Sequence, residues 1–512
     1  MKREDGHNER IGVIMNIKNK TLKSVLSSRK FKYGSVAVAF TTVFCAFVIL
    51  FNAVLSLVSD YNGGFYIDLT SERIYDLSDK SVEVINSLDK KIEIIFCNTA
   101  DRIDDNSALS YIKRLAERYE TASDKIDVIY KDCVKDPVYF NQFKKTSADR
   151  ITQFSVIINC AETKRFVVYD YSRFFKYSSE TGTIFAYDGE NKFTGAIMQT
   201  AANQTAKAGF ITNHGEKAPG GLEVLLREQG YEVSGVDLEK VDEEALFDYD
   251  LLIISDPVYD YTGIEAAREG RRNEIGLLND YLTKYFGNLM VFIDYETPNT
   301  SLSEFSGFLA DDWGVGYNYG EMLIEDSSKA IDKTGMFFFA TPSNTGYGAK
   351  IPSNIASGAN RAAFGYATPL SILFAEKGEK TVSPVFTASP NSVVYREDSA
   401  VKSLLAPVMT LSTYTKMIDS KEYSSNVIVC GSTYYLNLID SQEYSNSDVI
   451  KSALSYMGND NIIAGIDYKV LEDTALTITQ DDFKKYTVML SSIVPLIIAA
   501  VGIAVYIKRK KA

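Results

Sequence analysis

Histidine is almost missing from this chain: two in 512 residues, His7 near one end and His214 far from it. That excludes a multi-histidine metal centre and leaves a single imidazole outside the N-terminal arm for any catalytic triad. Cysteine is scarce as well, at five residues, and none stands in the sharp G-x-C-x-G turn that presents a nucleophile. No G-x-x-x-x-G-K-[ST] occurs. Its nearest approach, Gly378-Glu379-Lys380-Thr381, lacks the adjacent Gly-Lys pair and the glycine spacing, so ATP hydrolysis by a P-loop is excluded and any energy source must be a partner. Net positive charge is confined to the two ends: of a formal net charge of −13, residues 1–33 carry +6 and the last five residues +4, which leaves −23 on everything between. A body so acidic, with no basic stripe interleaved with aromatics, does not suit a nucleic acid.

What is present, first, is grease at both ends. Tyr33 to Ser59 is a run of 27 residues without a charge, and Tyr486 to Ile507 a run of 22, followed at once by Lys508, Arg509, Lys510 and Lys511. As helices both are long enough for a bilayer core of about 30 Å. The first is too long, and too deep in the chain, for a cleaved signal peptide, so it reads as an uncleaved anchor. The basic flanks place both ends in the cytoplasm by the positive-inside rule. The expected organisation is a cytoplasmic basic arm (1–33), a transmembrane helix (34–59), an extracytoplasmic α/β domain (60–204), a larger extracytoplasmic α/β domain (205–470), a juxtamembrane linker (471–485), a second transmembrane helix (486–507) and a cytoplasmic basic tail (508–512).

Between the anchors, Ser78 is a candidate N-cap for a helix that puts Val82, Ile85 and Leu88 on one face. Lys91 to Cys97 alternates as a strand, Ala108 to Tyr119 carries a helical stripe, Ile126 to Tyr130 is a strand, and 153–160 with 165–169 read as a hairpin. From Lys207 the pattern becomes strand then helix, repeatedly: strands 207–212, 231–236, 250–254 and 289–294, with helices 221–229, 272–286 and 302–313. Short apolar runs separated by helices predict a doubly wound parallel sheet covered on both faces. Residues 326–380, rich in Gly, Ser, Ala and Asn, fit either a long excursion or a flap. Strands near Val385 and at 426–430, and a helix at 447–457, complete the sheet. Gly314-Val-Gly316-Tyr-Asn-Tyr-Gly320 has one residue too many for a dinucleotide fingerprint and reads as a turn. Cys97, Cys133, Cys160 and Cys430 fit two readings: small buried hydrophobes at strand ends, or disulfides in one of three pairings.

In open parallel sheets ligands bind beyond the carboxyl ends of the strands. Three such ends carry polar residues: Thr212-Asn213-His214-Gly215-Glu216, Ser255-Asp256-Pro257 and Asp294-Tyr295-Glu296. His214, Glu216, Asp256 and Asp294 are therefore candidate ligand or partner-binding residues, converging if the strands are neighbours. The competing reading is that such residues cap helices and close turns. No metal site, cofactor or catalytic residue is expected.

The succession IDLTSERIYDLSDKSVEVINSLDKKIEIIF, GFITNHGE, DYDLLIISDPV, LNDYLTKYFGNLMVFIDYE and FLADDWGV between two apolar spans resembles the gliding-motility-associated ABC transporter auxiliary (GldG-type) family over most of residues 34–512. The resemblance implies a non-catalytic, membrane-anchored accessory subunit. It implies that this subunit works with a separate ABC permease and ABC ATPase in trans, and that its middle domain is class I glutamine amidotransferase-like without that fold's Cys-His-Glu triad. The family's G-H-G-E-like turn falls on Asn213, His214, Gly215 and Glu216, with asparagine in place of the first glycine. The alternative is an ectoenzyme or a sugar- or peptide-binding surface protein that uses the His214 crevice.

Overall fold

The computed structural model describes residues 42–50 and, apart from 145, 147, 179–180, 356–360, 397–398, 404, 442, 459–461 and 463–464, residues 74–471. The basic arm, the second charge-free run and the basic tail lie outside the described residues, as does most of the first run; its described part, 42–50, is helical. Among the described residues no helix is long and apolar enough to cross a membrane.

The first unit is a four-stranded sheet of β1 (Ile92–Phe96), β2 (Ile126–Tyr130), β3 (Ser155–Cys160) and β4 (Arg165–Asp170), in the order β2-β1-β3-β4. Only the β1–β2 pair is parallel. Helices α1 (Asp79–Ser87), α2 (Ser107–Ala122) and α3 (Gly189–Ala201) accompany it. In α2, Leu109, Ile112, Leu115, Ala116 and Tyr119 recur at helical spacing and are all buried, and the Asn106 side chain caps its first turn by accepting the Leu109 N–H at 3.0 Å. Ser78 is the N-cap of α1.

The end of the described chain comes back to this unit. Lys469–Val470 pairs antiparallel with Ile184–Tyr187, and Leu471 packs on the first unit's core. The junction is organised by one carboxylate. Glu190, on the first turn of α3 and 4% exposed, accepts the Ser78 N–H and the Ser81 hydroxyl, each at 2.6 Å. Its other oxygen faces the Lys469 ammonium at 3.4 Å, and that ammonium also donates to the carbonyls of Ile74 and Asp76. The two ends of the body, 74–76 and 469–471, are thus held together.

The second unit is built on β5 (Lys207–Thr212), β6 (Glu232–Asp237), β7 (Leu251–Ser255), β8 (Asn288–Phe292), β9 (Lys380–Thr387), β10 (Pro407–Ile418) and β11 (Lys421–Cys430), in the order β9-β10-β11-β8-β7-β5-β6. From β11 to β6 all neighbours are parallel. Strands β7 and β8 are buried along their whole length; Leu251 and Ile253 face one apolar cluster and Leu252 and Ile254 the other, which is why their sequence runs apolar without alternation.

The sheet departs from the fully parallel one expected. Strand β10 runs antiparallel to β11, β9 antiparallel to β10, and short strands at Thr341–Pro342 and Glu376–Lys377 pair antiparallel with β9. The cause is a two-residue hairpin, with Ile418 paired to Lys421 and Asp419 and Ser420 both left-handed at φ 50° and 66°. Such a primed turn matches the twist of its strands and reverses the chain without a crossover helix. The described part of 326–380 is packed rather than a loose flap: Phe337–Phe339 pairs with Ala363–Gly365, and Phe338 and Phe364 join an apolar core that also holds Val385 and Phe386 of β9. The expected helix over 302–313 is a short helix, Ser303–Gly307, followed by a wider π-type turn, Phe308–Asp312. The chain is a mixed α/β protein.

Replacing Glu190 with alanine removes the acceptor of the Ser78 N–H and the Ser81 hydroxyl and the carboxylate partner of Lys469, whose ammonium keeps the Ile74 and Asp76 carbonyls as acceptors. Loss of one partner of a buried pair costs about 3–5 kcal/mol. Urea unfolding followed by circular dichroism should therefore show a clear drop in midpoint for Glu190→Ala and a smaller one for Glu190→Gln. A wild-type midpoint for both would remove this carboxylate from its role.

Candidate functional site

The parallel strands read β6-β5-β7-β8-β11, so the chain steps from β5 outward to β6 and then crosses to the other side of β5 to lay down β7. Connections leaving β5 and β7 diverge there, which makes the carboxyl ends of these two strands the switch point of the sheet. His214 and Glu216 follow β5, Asp256 follows β7, and Asp294 follows β8, so all four candidate residues lie at this end of the sheet.

The loop after β5 is reversed by two left-handed positions, Asn213 at φ 86° and Gly215 at φ 78°. A Cβ on Gly215 would stand 3.0 Å from the Val258 Cβ, so a side chain there has neither the space nor the backbone for it. The His214 carbonyl accepts the N–H groups of Val258 and Tyr259, both at 2.8 Å, which stitches the loop after β5 to the loop after β7.

The His214 ring is 5% exposed and stacked on Tyr261 with centroids 3.9 Å apart. Its Nε2 lies 3.1 Å from Glu274 Oε2, and its Nδ1 3.4 Å from Glu216 Oε1, an ion-pair contact without hydrogen-bond geometry. Glu274 also accepts the N–H and hydroxyl of Thr262, at 2.8 and 2.9 Å; Glu216 accepts the Tyr261 hydroxyl at 3.0 Å. Burial opposes a charge on the ring, but the close contacts and negative charges of Glu216 and Glu274 outweigh it, and the imidazole is pushed up to about 9. Burial likewise opposes ionisation of both glutamates, and their contacts with His214, together with the N–H and hydroxyl groups they accept, override it, holding both below the usual carboxylate range. An imidazolium between two carboxylates has no free lone pair. At neutral pH this histidine is a structural cation, not a base.

Asp256 and Asp294 form a second group. Asp256, left-handed at φ 48°, sets Oδ2 2.5 Å from the Lys217 ammonium and accepts the Thr297 hydroxyl. Asp294 lies 3.4 Å from the same ammonium and accepts the Thr433 hydroxyl at 2.6 Å and the Glu296 N–H at 2.9 Å. Lys217 is drawn upward despite the opposing effect of its partial burial, through Asp256 and Asp294. The expected quartet is therefore two sets, His214–Glu216 completed by Glu274 and Tyr261, and Asp256–Asp294 bridged by Lys217. The sequence reading missed Glu274, Tyr261, Lys217, Thr297 and Thr433. Only Lys217 carried a signal, as a cation directly after the turn in an acidic body.

Beside these groups is a cleft of about 490 Å³ lined by Thr212, Asn213, Glu216, Lys217, Pro219 and Ser255, among others. The Ser255 hydroxyl, in a residue 3% exposed, has no hydrogen-bond partner among the described residues. A larger groove of about 890 Å³ lies at the opposite, amino ends of β5, β7 and β8, lined by Lys207, Asp248 and Asp250 among others. The switch-point cleft is the better candidate, because there the loops diverge and an uncommitted polar atom is buried. No group of three His, Cys, Asp or Glu side chains among the described residues could hold a metal ion. All the described cysteines are unpaired, and Cys430 is packed in the core with its thiol pushed up to about 12 by burial.

Because the His214 pKa is raised from 6.5 to about 9, its stabilising contribution is complete below pH 6.5 and is lost as the pH climbs through 9. Nuclear magnetic resonance of the labelled imidazole should find it doubly protonated at pH 8. His214→Ala, which strands two buried carboxylates, should cost about 3–5 kcal/mol in urea unfolding at pH 7, with a smaller cost at pH 9.5. A ring that titrates near 6.5 would contradict the assignment. No protein-family model matches the chain, and no curated protein matches it. Solved structures similar to it include a candidate GMP synthase component from Thermoplasma acidophilum, 9% identical over 50% of this chain and 96% of that one, with a TM-score of 0.25. A glutamine amidotransferase from Thermotoga maritima is 11% identical over 50% of this chain and 98% of its own, with a TM-score of 0.28. Superpositions this loose carry no argument about fold or activity.

Proposed function

We propose that this chain is a non-catalytic, membrane-anchored accessory subunit of an ABC transport system, docking on a permease and an ATPase supplied by other chains and handling or gating cargo at the outer face. The observation that carries the reading is the junction at Glu190. With 74–76 and 469–471 tied to each other, the segments that lead to the two charge-free runs leave the described body at neighbouring points, and 14 residues lie between the body and each run, 60–73 on one side and 472–485 on the other. Two anchors reached from neighbouring points of the body suit one membrane and would restrict the body's height and rotation, which raises its effective concentration at a membrane partner. The resemblance to the GldG-type family supplies the partner class. The non-catalytic half rests on the site: its histidine is held as a cation, and Asp256 and Asp294 are engaged by Lys217.

A second reading, a surface protein that binds a sugar or peptide, is favoured by one observation, the unpartnered Ser255 hydroxyl in the switch-point cleft.

Crosslinking in native membranes followed by mild detergent extraction should recover an ABC ATPase and a multispan permease with the full chain. A complex that never contains a permease defeats the proposal. Protease added to sealed cells should digest the acidic body; its full protection would place it in the cytosol and defeat the topology. Under the second reading, binding of an oligosaccharide or peptide panel by the full chain in detergent should weaken at least tenfold in Ser255→Val with folding unchanged, and an unaltered affinity would rule out the cleft.

A further inference from the structure

Three cysteines belong to the first unit, and two of them share one place. Strand β1 continues into Cys97, whose N–H donates to the Ser155 carbonyl at 3.2 Å. Strand β2 continues into Lys131, whose N–H donates to Phe96, and then into a tight turn in which Asp132 accepts the Val134 N–H. A parallel ladder kept in register would take the Cys133 N–H one residue further along β1; the turn instead delivers it to the Cys97 carbonyl, at 3.2 Å. The bond makes the two residues direct neighbours across adjacent strands, which lie about 4.7–4.9 Å apart, a spacing inside the span of about 4.4–6.8 Å between α-carbons that a disulfide requires.

The side chains agree with the backbone. Ile95 and Cys97 point to the same face of β1, and both lie in a small apolar cluster with Phe140, Phe143 and Ile157. Cys133 packs against that same cluster, as does Ile129 from β2. The two thiols therefore lie on one side of the sheet, at the carboxyl ends of adjacent strands. Cys97 is buried and Cys133 half-buried, so an oxidant reaches one thiol and the other is the neighbour that resolves it. Cys160 packs in the larger cluster on the other face, and Cys430 belongs to the second unit. Of the three ways four cysteines pair, only one contains this couple.

We infer that Cys97 and Cys133 are a disulfide-forming pair, closed when the body meets an oxidising disulfide. The Cys133 thiolate attacks a small-molecule disulfide such as oxidised glutathione and expels one thiolate, giving a mixed disulfide on Cys133. The Cys97 thiolate then attacks the Cys133 sulfur, the second small thiolate leaves, and the protein S–S bond forms. Two protein thiols are oxidised, the small disulfide is reduced to two thiols, and the two protons lost by the protein go to the departing thiolates. The bond ties the ends of β1 and β2 across the chain segment that contains α2, and it forms only where the surroundings are oxidising.

The test uses the full chain, extracted in detergent and treated with either reduced or oxidised glutathione. Free thiols are then blocked, the protein unfolded and blocked again, and the peptides mapped by mass spectrometry without reduction. Oxidation should lower the number of thiols that can be alkylated by two and yield one linked species joining the peptides of Cys97 and Cys133, two hydrogens lighter than their sum. Cys97→Ser should leave Cys133 as a glutathione mixed disulfide, with no new link to Cys160 or Cys430. Full recovery of both thiols after oxidation overturns the inference, and so does a mixed disulfide on Cys133 that persists in the wild-type chain.

Discussion

The whole arrangement turns on one desolvated carboxylate. Glu190 lies at the start of a helix in the middle of the chain, yet it receives the beginning of the body through Ser78 and Ser81 and the end of it through Lys469. A buried acid is tolerated only when its oxygens are fully occupied, and here the occupants come from two distant stretches of sequence. Around it Thr194 binds the hydroxyls of Ser81 at 2.8 Å and Tyr119 at 2.5 Å, so the same knot locks α1, α2 and α3 together. The order of events in the chain follows: the first unit cannot be complete until the second has been traversed and Lys469–Val470 has returned to pair with Ile184–Tyr187.

The switch point shows a related logic with opposite sign. Here one cation per pair of carboxylates is the rule, His214 between Glu216 and Glu274 and Lys217 between Asp256 and Asp294. Each set keeps one excess negative charge, in line with the acidic body. The two sets differ in exposure. The histidine group is sealed, whereas the Lys217 side chain is 49% exposed and edges the cleft. Solvent screens its contacts, so the lysine end of the site is the softer one and the histidine end the rigid one. Ligand recognition, if the cleft serves it, would therefore work against a fixed floor and a mobile cationic rim.

Much of the framework was legible because apolar spacing is a local property. Strands β1 to β5, β7 and β8 and helix α2 were announced by runs such as IEIIF, LLIIS and the stripe of Leu109, Ile112 and Leu115, and they fall within a few residues of where they were expected. The hairpin of β10 and β11 was not, since its turn is Asp419-Ser420 rather than the Asn-Gly or Asp-Gly pair that marks left-handed backbone. Charge partners were the least visible. His214 and Glu274 are 60 residues apart, and Glu190 and Lys469 farther still. Nothing in the neighbourhood of Glu274, the first residue of its helix after the Asn273 cap, separates it from an ordinary helix-start acid. The strand ends could be found from sequence; which carboxylate meets which cation could not, because that depends on the packed register of two distant elements.

The described fragment of the first charge-free run bears on where the body resides. In the helix 42–50 every residue is exposed, and the sequence there is uncharged throughout; Val43, Phe44, Phe47, Ile49 and Leu50 are each more than 60% exposed. A helix apolar all round needs cover on all sides, from a protein core or from lipid. The four apolar clusters of the described body contain none of these residues. Each large side chain left in water forfeits about 1.5–3 kcal/mol relative to burial, and the uncharged sequence continues on both sides of the fragment. Under the proposed membrane attachment, a bilayer or the helices of a partner within one would remove this cost, and the Glu190 junction would bring both ends of the described body to one surface.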